Sequence, residues 1–176
     1  MSPKLSRARG GRLELALSAE ERELLRSLPD QLRGLYEAGP DDSDPVRGRL
    51  FPRAYLDPTA EDAEREWRDL VHPELVRDRL ASLDRLLTAL DAERDARRGG
   101  VVIPLDDDSV DALLSVLNDA RLALGTQLGV TEDLDYESVK PDDPRAPGLA
   151  AYGWLTYVQG ELIEALLTEL PDSLAD

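Results

Sequence analysis

At 176 residues, with a formal net charge of −16 and no cysteine, the chain fits one domain of ordinary size and excludes disulfide scaffolds, thiolate catalysis, cysteine-ligated zinc and thiol redox sensing. A body this acidic repels duplex phosphates, so direct nucleic-acid binding is not expected and a basic protein surface is the expected partner. No stretch approaches the roughly 20 apolar residues of a membrane span and no apolar run follows the basic N-terminus, which points to the cytoplasm.

Lys4, Arg7, Arg9 and Arg12 precede the first periodic segment. Residues 1–11 read as a basic flexible arm, and residues 12–176 as a single helical domain. Arg12–Leu17 alternate polar and apolar at the period of a strand. Ser18 and Glu21 then stand at capping-box spacing, opening a helix with Leu24, Leu25, Leu28, Leu32 and Leu35 inward. Pro29 kinks or splits that helix and Gly39-Pro40 ends it.

Asp44–Tyr55 is both apolar and cationic and predicts a short helix or tight turn anchored by Leu50, Phe51 and Tyr55. Thr59 is placed to cap a helix bearing Ala63, Trp67, Leu70 and Val71, broken at His72-Pro73. Val76, Leu80, Leu83, Leu87 and Leu90 give the next helix a regular stripe. Val101–Leu105 is a second strand, with Pro104 demanding an edge or the end of pairing. The two strands are expected to pair as a small antiparallel ribbon, since a lone strand leaves its backbone groups unpaired. Helices over about 109–128 and 149–170 complete a mainly α bundle of five to six helices.

The helix over 109–128 is apolar nearly all round. Its main stripe, Val110, Leu114, Leu117, Arg121, Leu124 and Leu128, places Arg121 among aliphatic side chains with Asn118 one turn before it. A buried arginine needs a partner. Asp119 is assigned to the opposite face, which leaves Glu161 and Gln159 of the last helix as the expected partners. Asn118, Asp119, Arg121, Gln159 and Glu161 therefore form either an internal polar cluster that sets helix register or a partner-facing notch. No catalytic residue is assigned, because no general base stands among them.

The acidic runs Asp41–Asp44, Asp106–Asp108 and Asp142-Asp143 lack the alternating ligands and central glycine of a calcium loop. The lone His72 has no second histidine and reads as structural. No metal or other cofactor is expected.

Three stretches together resemble one family: Asp44-Pro45 through Arg49–Tyr55, Leu117–Gly125 (LNDARLALG) and Tyr152–Gln159 (YGWLTYVQ). They are similar to the actinobacterial DUF2017 family, which includes an oxidative-stress transcription regulator, and the similarity runs over about residues 11–167. The resemblance implies a cytoplasmic, non-catalytic regulator acting by contact with the transcription machinery, with a sigma factor as the candidate basic partner. Arg49, Phe51, Arg53, Tyr55 and Trp154 are the candidate partner surface. The redox sensing that the family label implies rests on a cysteine pair that this chain lacks. An adaptor in another pathway such as regulated proteolysis is the alternative, and a metal-dependent enzyme stands behind both.

Overall fold

The computed structural model describes residues 3–8, 11–96, 99–131, 140 and 142–168. In chain order the elements are β1 (Lys4–Arg7), β2 (Leu13–Leu17), α1 (Ala19–Ala38), α2 (Pro45–Leu50), a 3-10 turn (Pro58–Ala60), α3 (Glu61–Asp91), β3 (Arg94–Asp95), β4 (Val101–Leu105), α4 (Asp107–Leu128) and α5 (Ala146–Leu167). The mainly helical class is as expected.

The ribbon is larger than expected. It is an antiparallel sheet in the order β1-β2-β4-β3. Its centre is the anticipated pair, with Leu13, Leu15 and Leu17 opposite Leu105, Ile103 and Val101. These six residues form the buried face, because side chains alternate across a strand. Lys4–Arg7, expected within a flexible arm, instead pair with Ala16–Leu13 as an outer strand. The cue was weak, since Leu5 is the lone apolar side chain among those four residues. Pro104 sits in β4 beyond the reach of two-residue β3, so its missing N–H faces an unpaired edge. Gly100, at the start of β4, packs against β2 so closely that an added Cβ would stand 2.6 Å from the Leu17 carbonyl oxygen.

The capping box forms as read. Glu21 N–H donates to Ser18 Oγ (3.3 Å) and Ser18 N–H to the Glu21 carboxylate (2.8 Å). Pro29 lies inside α1 without splitting it, buried with Leu25, Leu28, Leu32 and Tyr36. The expected break at His72-Pro73 does not occur either: α3 runs unbroken from Glu61 to Asp91. Proline costs one intrahelical bond, and burial of Leu83, Leu86 and Leu90 on one side and of Glu64 and His72 on the other outweighs that loss. Nor does Thr59 cap α3. Its N–H donates to Asp57 (2.8 Å) in the preceding turn, and Ala60 precedes α3 without a side-chain bond.

The acidic runs serve as caps and pairs. Asp44 accepts from Val46 and Arg47 N–H to open α2, and Asp106 accepts from Ser109 N–H to open α4. Arg47 reaches back to the carbonyls of Ala38 and Gly39 (both 2.7 Å), satisfying the exposed end of α1.

α4 is the central helix. It touches α1, α2, α3, α5 and β4. Its buried side is Leu113, Val116, Leu117, Ala120 and Ala123, extended by Ala112, Asp119 and Gly125. The small residues let α3 and α5 approach it closely. The described residues include no helix long and apolar enough to cross a membrane.

Candidate functional site

Asp119, in the helical layer, is buried, 3% exposed. It occupies the row Ala112, Val116, Asp119, Ala123, which faces inward because α2 and α3 cover that side of α4. Tyr36 Oη, from the last turn of α1, donates to Asp119 Oδ2 at 2.7 Å. Arg79 Nε, from the middle of α3, stands 2.9 Å from the same oxygen. The guanidinium carbon of Arg79 lies 4.9 Å from the ring centre of Phe51 and 5.5 Å from that of Tyr36. One carboxylate thus joins three helices, and two aromatic faces cover the cation. Burial, reinforced by the Asp119 charge and hydrogen bond, pushes the Tyr36 phenol well above its usual range, so it serves as a donor.

Two turns from Arg79 toward the start of α3, His72 is almost fully buried and neither ring nitrogen has a hydrogen-bond partner. Its ring centre is 5.6 Å from that of Phe51 and 5.2 Å from that of Trp67, the latter edge-on. Desolvation first, then the Arg68 charge, hold its pKa below the ordinary 6.5. Two turns before it, buried Glu64 accepts from the N–H groups of Ala54 (3.0 Å) and Tyr55 (2.9 Å) and pairs with Arg68 (2.5 Å). Those backbone bonds, with Arg68, keep the Glu64 carboxyl below its usual range. Arg68 also meets Asp42 (2.7 Å), and Arg53 meets Glu61 (2.6 Å). Residues 51–56 are therefore a strap pinned to α3 from beneath by Phe51 and along its backbone by Glu64.

The expected surface on this strap is partly corrected. Phe51 is 1% exposed and belongs to the core, because its ring fills the space between His72 and Arg79. Arg53 is committed to Glu61, while Arg49, Tyr55 and Leu56 remain exposed, Leu56 at 83%. Trp154 is half-buried on α5, and its indole N–H donates to Glu21 at 3.2 Å.

Arg121 faces α5 and is half-exposed. Its Nε donates to Thr156 Oγ1 (3.0 Å), its Nη1 donates to Gln159, and its guanidinium carbon lies 5.6 Å from the Tyr152 ring centre. The expected neighbour Gln159 is present. Glu161 is not a partner; it lines a shallow depression with Leu5, Leu13 and Ala165 on the sheet side of α5. Asp119 and Arg121 do not share a cluster, and Asn118, exposed, makes only a long 3.5 Å contact to Asp119. Gly125 lets the Tyr152 ring lie against α4, where an added Cβ would stand 3.0 Å from the ring.

Sequence reasoning missed Tyr36, Glu64 and Arg79. Arg79 carried the same signal as Arg121, a cation at helical spacing between Val76 and Leu83. Among the described residues no three His, Asp or Glu groups are arranged to hold a metal ion.

The three stretches singled out in the sequence are thus the strap, the α4 row that carries Asp119 and Arg121, and the α5 turns that receive Arg121. A family model described as a domain of unknown function, DUF2017, matches residues 1–166. The chain belongs to the DUF2017 family. A protein of Mycobacterium leprae (strain TN) named putative oxidative stress regulator AosR is 33% identical over 135 residues, covering 70% of this DUF2017 chain and 59% of that protein. The oxidative stress regulators AosR of Mycobacterium bovis and of Mycobacterium tuberculosis H37Rv are each 26% identical over 189 residues, covering 90% of this chain and 84% of theirs. The match therefore spans less than two thirds of the M. leprae protein. No solved structure matches the chain.

Proposed function

We propose that this DUF2017 chain is a non-catalytic cytoplasmic regulator that works by protein contact with a basic component of the transcription machinery, a sigma factor being the leading candidate. The net charge of −16 carries this reading. A DNA-binding transcription subunit presents cationic surface, and an acidic body is steered toward it and away from phosphate. The relatives named oxidative stress regulators support a regulatory role. With no cysteine in the chain, the signal it answers is not a thiol switch within the chain itself.

The contact surface is assigned to the exposed part of the strap, Tyr55 and Leu56, flanked by the Asp57 carboxylate and by Glu61 and Asp62, which are paired with Arg53 and Arg65. Apolar side chains in an acidic rim suit an amphipathic basic partner. The test is affinity capture from the native host with the wild-type chain and Leu56→Glu. A transcription subunit should co-purify with wild type, elute as salt rises and be depleted with the variant. Capture that recovers no transcription component would sink the proposal.

A further inference from the structure

The partner contact just proposed uses charged surface, whereas the outer face of α5 is nearly free of charge. Ala150, Gly153, Tyr157, Gly160, Glu164 and Leu167 succeed one another at steps of three and four, and all are exposed. Thr156 and Ile163 flank them. Tyr157 and Ile163 are each 45% exposed and Leu167 59%. Glu164 is the single charged member of this stripe, in a chain with 33% charged residues. Solvated helix faces are normally where charge collects.

Two glycines inside this helix have no cause within the fold. Glycine is the poorest helix former after proline. At Gly125 and Gly148 an added Cβ would press on Tyr152 and Leu128, but at Gly153 and Gly160 it would meet nothing within 4 Å, and neither has positive φ. They leave room for a backbone from outside.

We propose that this face packs against the same face of a second copy, α5 on α5, antiparallel about a two-fold axis at Gly160. In that register each residue meets the one equally distant on the far side of Gly160. Leu167 then enters the gap at Gly153, Tyr157 lies on Ile163, Thr156 stands opposite Glu164, and Gly160 meets itself. Large side chains face small ones, which is the self-complementarity an isologous contact requires. Charge selects the same occupant. A basic partner finds one carboxylate here, Glu164, with the Arg7 cation lining the same depression, while two bodies of like charge approach most easily where net charge is missing. A helix of 22 residues offers less area than the roughly 800 Å² per partner of a standard interface, so the dimer is a weak one.

Sedimentation equilibrium of the full chain, from low micromolar to near-millimolar concentration at low and high salt, tests this. The mass should climb from 19.4 kDa toward twice that value, and association should tighten as salt screens the repulsion. That is the reverse of the salt response expected for the basic partner. Leu167→Glu, Leu167→Lys and Gly160→Leu should each weaken association by about tenfold or more with circular dichroism unchanged. The lysine variant distinguishes lost packing from added repulsion. A single-chain mass throughout, or a dimer indifferent to all three changes, would overturn the proposal. Capture of the basic partner by the Leu167 variants should persist, so the two proposals fail separately.

Discussion

Asp119 takes its two donors from two other helices, Tyr36 of α1 and Arg79 of α3, and it is the buried centre of that contact. Removing one member of a buried pair leaves the other charge without compensation, a loss of about 3–5 kcal/mol. Urea unfolding of Asp119→Leu should show a drop of that order. Arg121 is half-exposed and bound to neutral partners, so Arg121→Leu should cost no more than about 1 kcal/mol. Equal losses for the two variants would refute the ranking. His72 gives a pH effect whose sign follows from its surroundings, where Arg68 and Arg79 oppose its protonation and Glu64 and Asp42 favour it. Desolvation dominates, so the folded pKa lies below the unfolded one. Stability is then full above about pH 6.5 and falls as acid protonates the unfolded chain first. Melting curves between neutral pH and pH 5 should fall for wild type, and His72→Phe should flatten the upper part of that decline.

At the level of elements, the backbone of the strap 51–56 is held by one carboxylate, which accepts two of its N–H groups. Glu64→Ala should release the strap while α3 persists, because the helix is held further along by Leu83, Leu86 and Leu90. Limited trypsin digestion reads this directly. Cleavage after Arg53 should become the fastest event in the variant, and an unchanged digestion pattern would show that Phe51 and the Arg53–Glu61 pair hold the strap without Glu64. Two elements defied local propensity for the same reason. Pro29 and Pro73 each remove one helical bond, yet α1 and α3 continue because both flanks of each proline bury side chains against neighbours. Sequence spacing shows the proline but not the neighbours.

For the whole molecule, a charge of −16 on one compact body is a standing repulsion that the unfolded chain relieves by expanding. Many of the ion pairs that offset it, such as Arg33 with Asp84 and Arg65 with Asp62, have at least one well-exposed member and are worth little singly. Added sodium chloride should therefore raise the melting temperature over the range in which surface charge is screened. A fall would mean that the ion pairs outweigh the repulsion.

The mainly helical class, the capping box at Ser18 and the β2–β4 pairing were legible from the chain, because each rests on residues close in sequence or on an unambiguous period. Gln159 was rightly grouped with Arg121, but the counter-charge expected from Glu161 was not needed, because Arg121 is half-exposed and bound to neutral partners. The inward row of Asp119 was not legible. α4 is covered on several sides, so its apolar pattern could not say which of two faces met α3, and the reading of Asp119 as merely opposite to Arg121 followed from choosing the longer leucine stripe. Phe51 was misplaced for a related reason, since an aromatic in a short loop looks the same from sequence whether it points to solvent or into a gap between His72 and Arg79. Composition and period by themselves determined an acidic helical body without thiol chemistry. Which polar groups became its buried joints was decided by tertiary packing, because burial belongs to the meeting of helices distant in sequence and to no one segment.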